Sequence, residues 1–405
     1  CYSRVYGDNL MALTKLNTLS LADDAITSAK IADNAVVTAS IADSAVTSAK
    51  TDGVTGANPN ILINGDMSIA QRGTSSTSSG IKTVDRWSAA WGGGGGITQS
   101  QVALTSGGAY DEGHRHALKM AVTSANSANN RYAQVNYKVE SQQIRNSGWQ
   151  YNSASSYVTI SFWAKASLAG TYWLSFYCPD TNTQYYSTSF ALSAATWTKI
   201  TKTFPGGSNI TFNDDTGNGL QIDIYLDYGT DLTASDATLN SWHTFASGKY
   251  MTDFAQSWFN TGSATFEVTG CKLEIGQSAT TFEKTDYTAE FAKCQRYYEK
   301  ITNASGFSMM GLASSANTAY FDLYYEEKRA NPSFTLPTAS VTGNGVVPLT
   351  AGGGYPSDAT GTLTAIRIGK TSCRLDAESF GGLTSESPSW LYWVAENSIE
   401  VSAEL

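Results

Sequence analysis

The chain has 405 residues, 41% hydrophobic and only 15% charged, with a net charge of −9. Soluble domains usually carry about 25% charged residues; here Ser, Thr, Asn and 36 Gly take their place, which suits β-sheets with small polar turns and argues against a Lys/Glu-rich helical enzyme. The negative charge repels nucleic-acid phosphates and argues against a nucleic-acid partner, and no stretch approaches the roughly 20 apolar residues of a spanning helix, so membrane insertion is not expected.

Residues 1–10 lack the charged and apolar regions of a signal peptide, and Met11-Ala12-Leu13-Thr14 reads as a natural start. Residues 1–20 are read as an attachment segment. A ten-residue repeat follows: LADDAITSAK at 21–30, IADNAVVTAS at 31–40 and IADSAVTSAK at 41–50. Its branched apolar residues, Leu21, Ile26, Ile31, Val36, Ile41 and Val46, recur every five positions. Such repeats mean stacked, quasi-one-dimensional architecture. A single copy buries too little apolar area to offset an ordering entropy of about 1–2 kcal/mol per residue. Several chains wound around an axis could bury all of these residues, so residues 21–57 are expected to form a trimeric shaft. Ile, Val and Thr favour extended backbone. A coiled coil fits a ten-residue period poorly, and a disordered linker would not need the regular apolar spacing.

Residues 58–286 carry repeated strand signals. Val158, Ile160, Phe162 and Ala164 alternate with Tyr157, Thr159, Ser161, Trp163 and Lys165. Tyr172, Leu174, Phe176 and Cys178 oppose Trp173, Ser175 and Tyr177, and Leu220, Ile222, Ile224 and Leu226 oppose Gln221, Asp223, Tyr225 and Asp227. This period of two, cut by turns such as Pro205-Gly206-Gly207, predicts an antiparallel β-sandwich of jelly-roll type. A helix is expected over 288–300, with Phe291, Cys294 and Tyr298 on one face. Strand-like stretches at 318–325, 361–368 and 390–395 then predict a second sandwich within 287–405. The fold class is therefore mainly β: a fibrous shaft, two antiparallel sandwiches and a short helix between them. The five cysteines, Cys1, Cys178, Cys271, Cys294 and Cys373, are odd in number and form no CxxC pair. Isolated buried thiols are expected rather than a disulfide framework or zinc site.

Several strings resemble bacteriophage tail fibre proteins. Asn60-Ile-Leu-Ile-Asn-Gly-Asp-Met-Ser-Ile-Ala-Gln-Arg-Gly73, Val84-Asp85-Arg86-Trp87 and Ile160-Ser-Phe-Trp-Ala-Lys165 are similar to a sandwich module of those proteins related in shape to carbohydrate-binding jelly rolls. Lys293-Cys-Gln-Arg-Tyr-Tyr-Glu-Lys300, Lys328-Arg-Ala-Asn-Pro332 and Ser402-Ala-Glu-Leu405 resemble their C-terminal module, and the decapeptide repeat resembles their shafts. The resemblance implies a homotrimer mounted on a virion tail, contacting other tail proteins through its N-terminal end. It carries over no catalytic residue.

Strand parity puts Trp163, Trp173, Tyr177, Tyr225, Asp223 and Asp227 opposite the core-facing residues. Aromatic faces stack against sugar C–H bonds and carboxylates accept sugar hydroxyls, so this set is a candidate glycan face, unless a loop, the second sheet or another subunit covers it. Asn213-Asp214-Asp215-Thr216-Gly217-Asn218 could wrap calcium through Asp214, Asp215 and Asn218, or form a solvated Asx turn. His114-Arg115-His116 offers two imidazoles on one side of a possible strand, a metal pair or an ordinary solvent-facing one. No nucleophile motif or phosphate loop stands out, so neither an enzyme nor a cofactor is expected. The leading expectation is a host-surface adhesin that binds a glycan or protein receptor. A purely structural virion connector or decoration protein ranks next, and a polysaccharide depolymerase last.

Overall fold

The computed structural model describes residues 59–180, 183–302, 307–337, 345–348, 361–379, 383–393 and 398–405. They belong to one compact unit, Ala57–Leu405. The attachment segment and the shaft residues Leu21, Ile26, Ile31, Val36, Ile41 and Val46 lie outside the described residues.

The first part of this unit contains β1 (Ser75–Ser76), β2 (Ser88–Gly92), β3 (Gly96–Ala103), β4 (His116–Ser124), β5 (Tyr132–Glu140), β6 (Tyr157–Ala166), β7 (Gly170–Cys178), β8 (Gln184–Leu192), β9 (Thr198–Pro205), β10 (Asn218–Tyr228), β11 (His243–Thr244) and β12 (Thr265–Ile275). Short helices α1 (Gly108–Asp111) and α2 (Ser141–Arg145) interrupt them. One sheet runs β1-β3-β4-β12-β6-β9 and the second β11-β8-β7-β10-β5-β2. Consecutive strands cross repeatedly between the sheets, a jelly-roll-like wiring.

The alternation seen in the sequence builds the core. Val158, Ile160 and Phe162 of β6 meet Leu174 and Phe176 of β7 and Ile222 and Ile224 of β10 in one buried cluster. Phe176 stacks on Phe204 at 3.7 Å and Phe162 meets Phe190 edge-on at 5.5 Å, both contacts bridging the two sheets. Each such side chain contributes about 1.5–3 kcal/mol by leaving water.

Helix α3 (Tyr287–Gln295) follows, capped by Asp286, whose side chain accepts from Thr288 N and Ala289 N. It stops short of the expected residue 300. Tyr298–Ile301 instead forms β13, paired with β21 (Ile399–Ser402). Phe291 and Cys294 do share the buried helical face, but Tyr297 joins them there and Tyr298 belongs to the strand. Sheet pairing outweighs the local helical spacing.

The remaining strands are β14 (Phe307–Ala313), β15 (Thr318–Tyr324), β16 (Ser333–Thr335), β17 (Gly345–Pro348), β18 (Thr362–Ile366), β19 (Ser372–Glu378) and β20 (Pro388–Trp393). They form a three-stranded sheet, β13-β21-β16, and a six-stranded sheet, β17-β20-β14-β15-β19-β18. Phe321, Leu323 and Leu375 of the larger sheet pack with Ile399 and Val401 of the smaller. The described cysteines, Cys178, Cys271, Cys294 and Cys373, are free and buried.

Five of the strings that carried the resemblance, at 60–73, 84–87, 293–300, 328–332 and 402–405, meet where the two sandwiches join. Asn64 is fully buried with φ 57°, a left-handed conformation that Asn tolerates well. Its side-chain amide donates to Ile69 O and Asp85 O, and its main-chain oxygen accepts from Trp87 Nε1 at 3.0 Å. Arg86, 2% exposed, lies 3.4 Å over the Tyr297 ring and donates to Glu404 at 2.6 Å. Arg72 stacks on Tyr298 at 3.4 Å and donates to the same Glu404. Glu140 accepts from Arg296 and from Tyr297 Oη, while Arg329 donates to Ala403 O and Glu404 O.

The turn after Asn64 comes close to β12. A Cβ on Gly65 would lie 2.1 Å from Cys271 O. Gly65→Ala is therefore expected to lower stability by about 1–3 kcal/mol, read as a fall in the denaturation midpoint. An unchanged midpoint would mean the turn can move off the sheet freely.

Candidate functional site

The outer face of the second sheet is a lattice of side chains fixed by strand register. Its central row runs Ser187, Ser175, Asp223, Asn136, Ser88 across β8, β7, β10, β5 and β2. One flanking row runs Tyr185, Tyr177, Gln221, Lys138, and the other runs Ser189, Trp173, Tyr225, Gln134, Ala90. Polar and aromatic groups occupy this side because their neighbours along each strand fill the core.

Four of the six expected glycan-face residues lie on this face: Trp173, Tyr177, Tyr225 and Asp223. Trp163 does not join them. It sits on β6 in the other sheet, where it packs with Trp197, and its Nε1 donates to Glu112 at 3.0 Å. Alternation assigns a residue to the side away from the core but does not say which of two sheets it is on. Asp227 also departs, because a bulge between Tyr225 and Asp227 breaks the alternation and sets Asp227 opposite the core residue Ala133. It is buried there, accepts from Phe259 N at 2.7 Å and pairs with Arg131 at 3.1 Å.

Half of the face is roofed. The segment 229–258 lays Met251, Phe245, Tyr250 and Phe254 over Trp173, Tyr185 and Tyr225. Ser187 Oγ donates to Tyr250 O at 2.7 Å. Trp173 is left 6% exposed and Tyr225 2%, so neither offers a free ring face; Tyr177 is partly exposed beside Phe245. The Ser175 hydroxyl lies 2.9 Å from Tyr185 Oη and 3.0 Å from Tyr225 Oη, and those two phenols are hydrogen-bonded. Asp223, 2% exposed, accepts from Gln221 Nε2 at 2.8 Å. Burial pushes its carboxyl up to about 7, against the opposing pull of Gln221, Tyr225, Lys138 and Ser175.

The other half is open. Ser88, Asn136, Lys138 and Gln221 floor a groove of about 660 Å³. Ser333 and Thr335 of β16 and Glu400 and Ser402 of β21 line it from the C-terminal sandwich, with Arg72, Tyr298 and Glu404. The floor residues are partly exposed. The Asn136 amide has no hydrogen-bond partner among the described residues, so it can both donate to and accept from a guest. Of these floor positions only Gln221 had its parity singled out in the sequence, although the same alternation marks Asn136 and Lys138, which separate the core residues Val135, Tyr137 and Val139. Their apposition to β16 and β21 depends on the joint between the sandwiches and has no local signature.

The weaker metal candidates fall apart. Asp215 accepts from Gly217 N at 2.8 Å, an Asx turn, and Asp214 lies 3.9 Å from Arg145. His114 is buried before β4, its Nδ1 only 2.9 Å from Lys284 Nζ, while His116 starts the strand. Burial and the Lys284 charge push His114 down to about 4. Among the described residues no cluster of three or more His, Cys, Asp or Glu could hold a metal, and no described helix is long and apolar enough to cross a membrane.

Asp223 makes a pH prediction. Its folded value lies near 7 and an unfolded Asp titrates near ~4. Its contribution is thus fully present below ~4 and is lost as pH rises through about 7. Asp223→Asn, which cannot ionise, should melt higher than the parent at about pH 8 by a margin that vanishes near about pH 4. Thermal melts at the two pH values check this; a margin independent of pH would place the Asp223 charge in water.

No protein-family model and no curated protein matches the chain. Solved structures do match, at low similarity. The N-terminal cellulose-binding domain of Cellulomonas fimi β-1,4-glucanase C is 14% identical, covering 52% of this chain and 99% of that one with a TM-score of 0.25. A family 16 carbohydrate binding module is 13% identical, covering 43% and 84% with a TM-score of 0.22. A CBM4 structure is 14% identical, covering 40% and 71% with a TM-score of 0.22.

Proposed function

We propose that the chain is a saccharide-binding adhesin carried on a trimeric fibre of the phage-tail type, and that the groove between Asn136 and Thr335 is its binding site. The observation that supports this most is the groove itself: about 660 Å³, floored by Asn136, Gln221 and Ser88 and faced by Ser333, Thr335 and Ser402. Amides and a hydroxyl on the floor and hydroxyls on the facing side match the alternating donors and acceptors of a sugar ring. The volume lies within the range of small-molecule sites, about 300–1,000 Å³. With Trp173 and Tyr225 under the roof, recognition runs through hydrogen bonds on the polar half of the sheet.

The fibre part of the reading is supported by the decapeptide repeat, whose six branched residues one chain cannot bury. A trimer would present three grooves, and linking weak sites raises avidity by a factor on the order of 10²–10⁴. Weak single-site binding is therefore compatible with firm adhesion. On this reading the protein holds its ligand and does not turn it over.

Titrating the full chain with oligosaccharides of host-surface polysaccharides tests the proposal. Each lost hydrogen bond costs about 0.5–1.5 kcal/mol, so the double variant Asn136→Ala, Gln221→Ala should bind roughly tenfold more weakly, with no release of reducing ends by either protein. Parent-like binding by the variant would remove the groove. Absence of any saccharide binding would favour a structural connector, and sugar release a depolymerase.

A further inference from the structure

We infer that the groove selects an anionic saccharide, its acid group held by Lys82, Lys138 and Arg72. The inference rests on the saccharide reading above and narrows it. The whole chain carries −9, yet four cationic side chains, Arg72, Lys82, Arg86 and Lys138, line the groove with two side-chain carboxylates, Glu400 and Glu404, and with Leu405, the last residue of the sequence; Asp85 pairs with Arg72 from behind.

The local pairings leave cationic donors over. Arg72 and Arg86 share the single Glu404, at 3.2 and 2.6 Å. Asp85 forms an ion pair with Arg72 Nη1 at 3.7 Å, too long for a hydrogen bond. Lys138 Nζ donates to an oxygen of Leu405 at 3.2 Å and keeps further protons free. Lys82 is exposed and meets no carboxylate among the described residues. Arg72 Nη1 and Arg86 Nε are buried without a hydrogen-bond acceptor among the described residues.

A neutral sugar would meet the amide and hydroxyl floor but leave Lys82 and the remaining protons of Lys138 unanswered. An acid group adds charge-assisted bonds, roughly twice as strong as neutral ones. A cleft with low-dielectric walls also focuses the local positive field even on an acidic protein. A long nucleic acid would leave this groove and run onto the negative surface, so a short acid-bearing saccharide is the better fit.

The test is calorimetric titration of the full chain with a uronate-bearing oligosaccharide, its carboxyl-reduced counterpart, a phosphorylated oligosaccharide and a single-stranded oligonucleotide. The expected result is at least about tenfold tighter binding of an acid-bearing saccharide than of the reduced one, weakening as salt is raised. Whether uronate or phosphate leads identifies the acid. The double variant Lys82→Gln, Lys138→Gln should erase the difference between the acid-bearing and the reduced saccharide. Equal binding of acidic and reduced sugars, a preference that survives in the double variant, or an oligonucleotide that binds as tightly as the saccharides would overturn the inference. Binding of the reduced sugar alone would overturn it and leave the saccharide reading standing; binding of no saccharide would bring down both.

Discussion

The contact between Arg86 and Glu404 holds the two sandwiches together. Arg86 lies between the rings of Tyr137, at 5.0 Å, and Tyr297, at 3.4 Å, and donates to Lys138 O as well as to Glu404. A guanidinium taken out of water without its partner costs several kcal/mol, and breaking such a pair typically costs about 3–5 kcal/mol. Both ends must therefore be in place for either to be tolerated. Asn64, Arg72, Glu140 and Arg329 surround the pair with further bonds between residues distant in sequence.

That joint creates the groove. Its floor is the polar half of the outer face of the second sheet, and its facing side comes from the smaller sheet of the C-terminal sandwich. Neither sandwich alone has both sides. The same outer face is divided by chemistry: most of the aromatic half lies beneath 229–258, where the Tyr185, Tyr225 and Ser175 hydroxyls bond to one another, and the amide half stays open. Several residues of the joint, Arg72, Arg86, Tyr298 and Glu404 among them, also line the groove.

Most of the fold was legible because alternation is a local record of burial. β6, β7 and β10 place in the core the residues that the period of two assigns there. The candidate site was only partly legible. Trp163 fell on the wrong sheet because parity is blind to sheet identity, and Asp227 turned inward because one extra residue at a bulge reverses parity. The roof gave no warning, since 229–258 has little periodic pattern and acts through tertiary packing. The expected helix over 288–300 lost its last turn to β13, whose partner β21 lies about a hundred residues further on.

The most direct test of this account is a structure determined with a bound oligosaccharide. The sugar is expected over Asn136 and Gln221, facing Thr335, with an acid group within hydrogen-bond reach of Lys82 or Lys138. A sugar seated instead on the Trp163 and Trp197 side of the other sheet, or beneath a displaced 229–258 segment against Trp173, would contradict it.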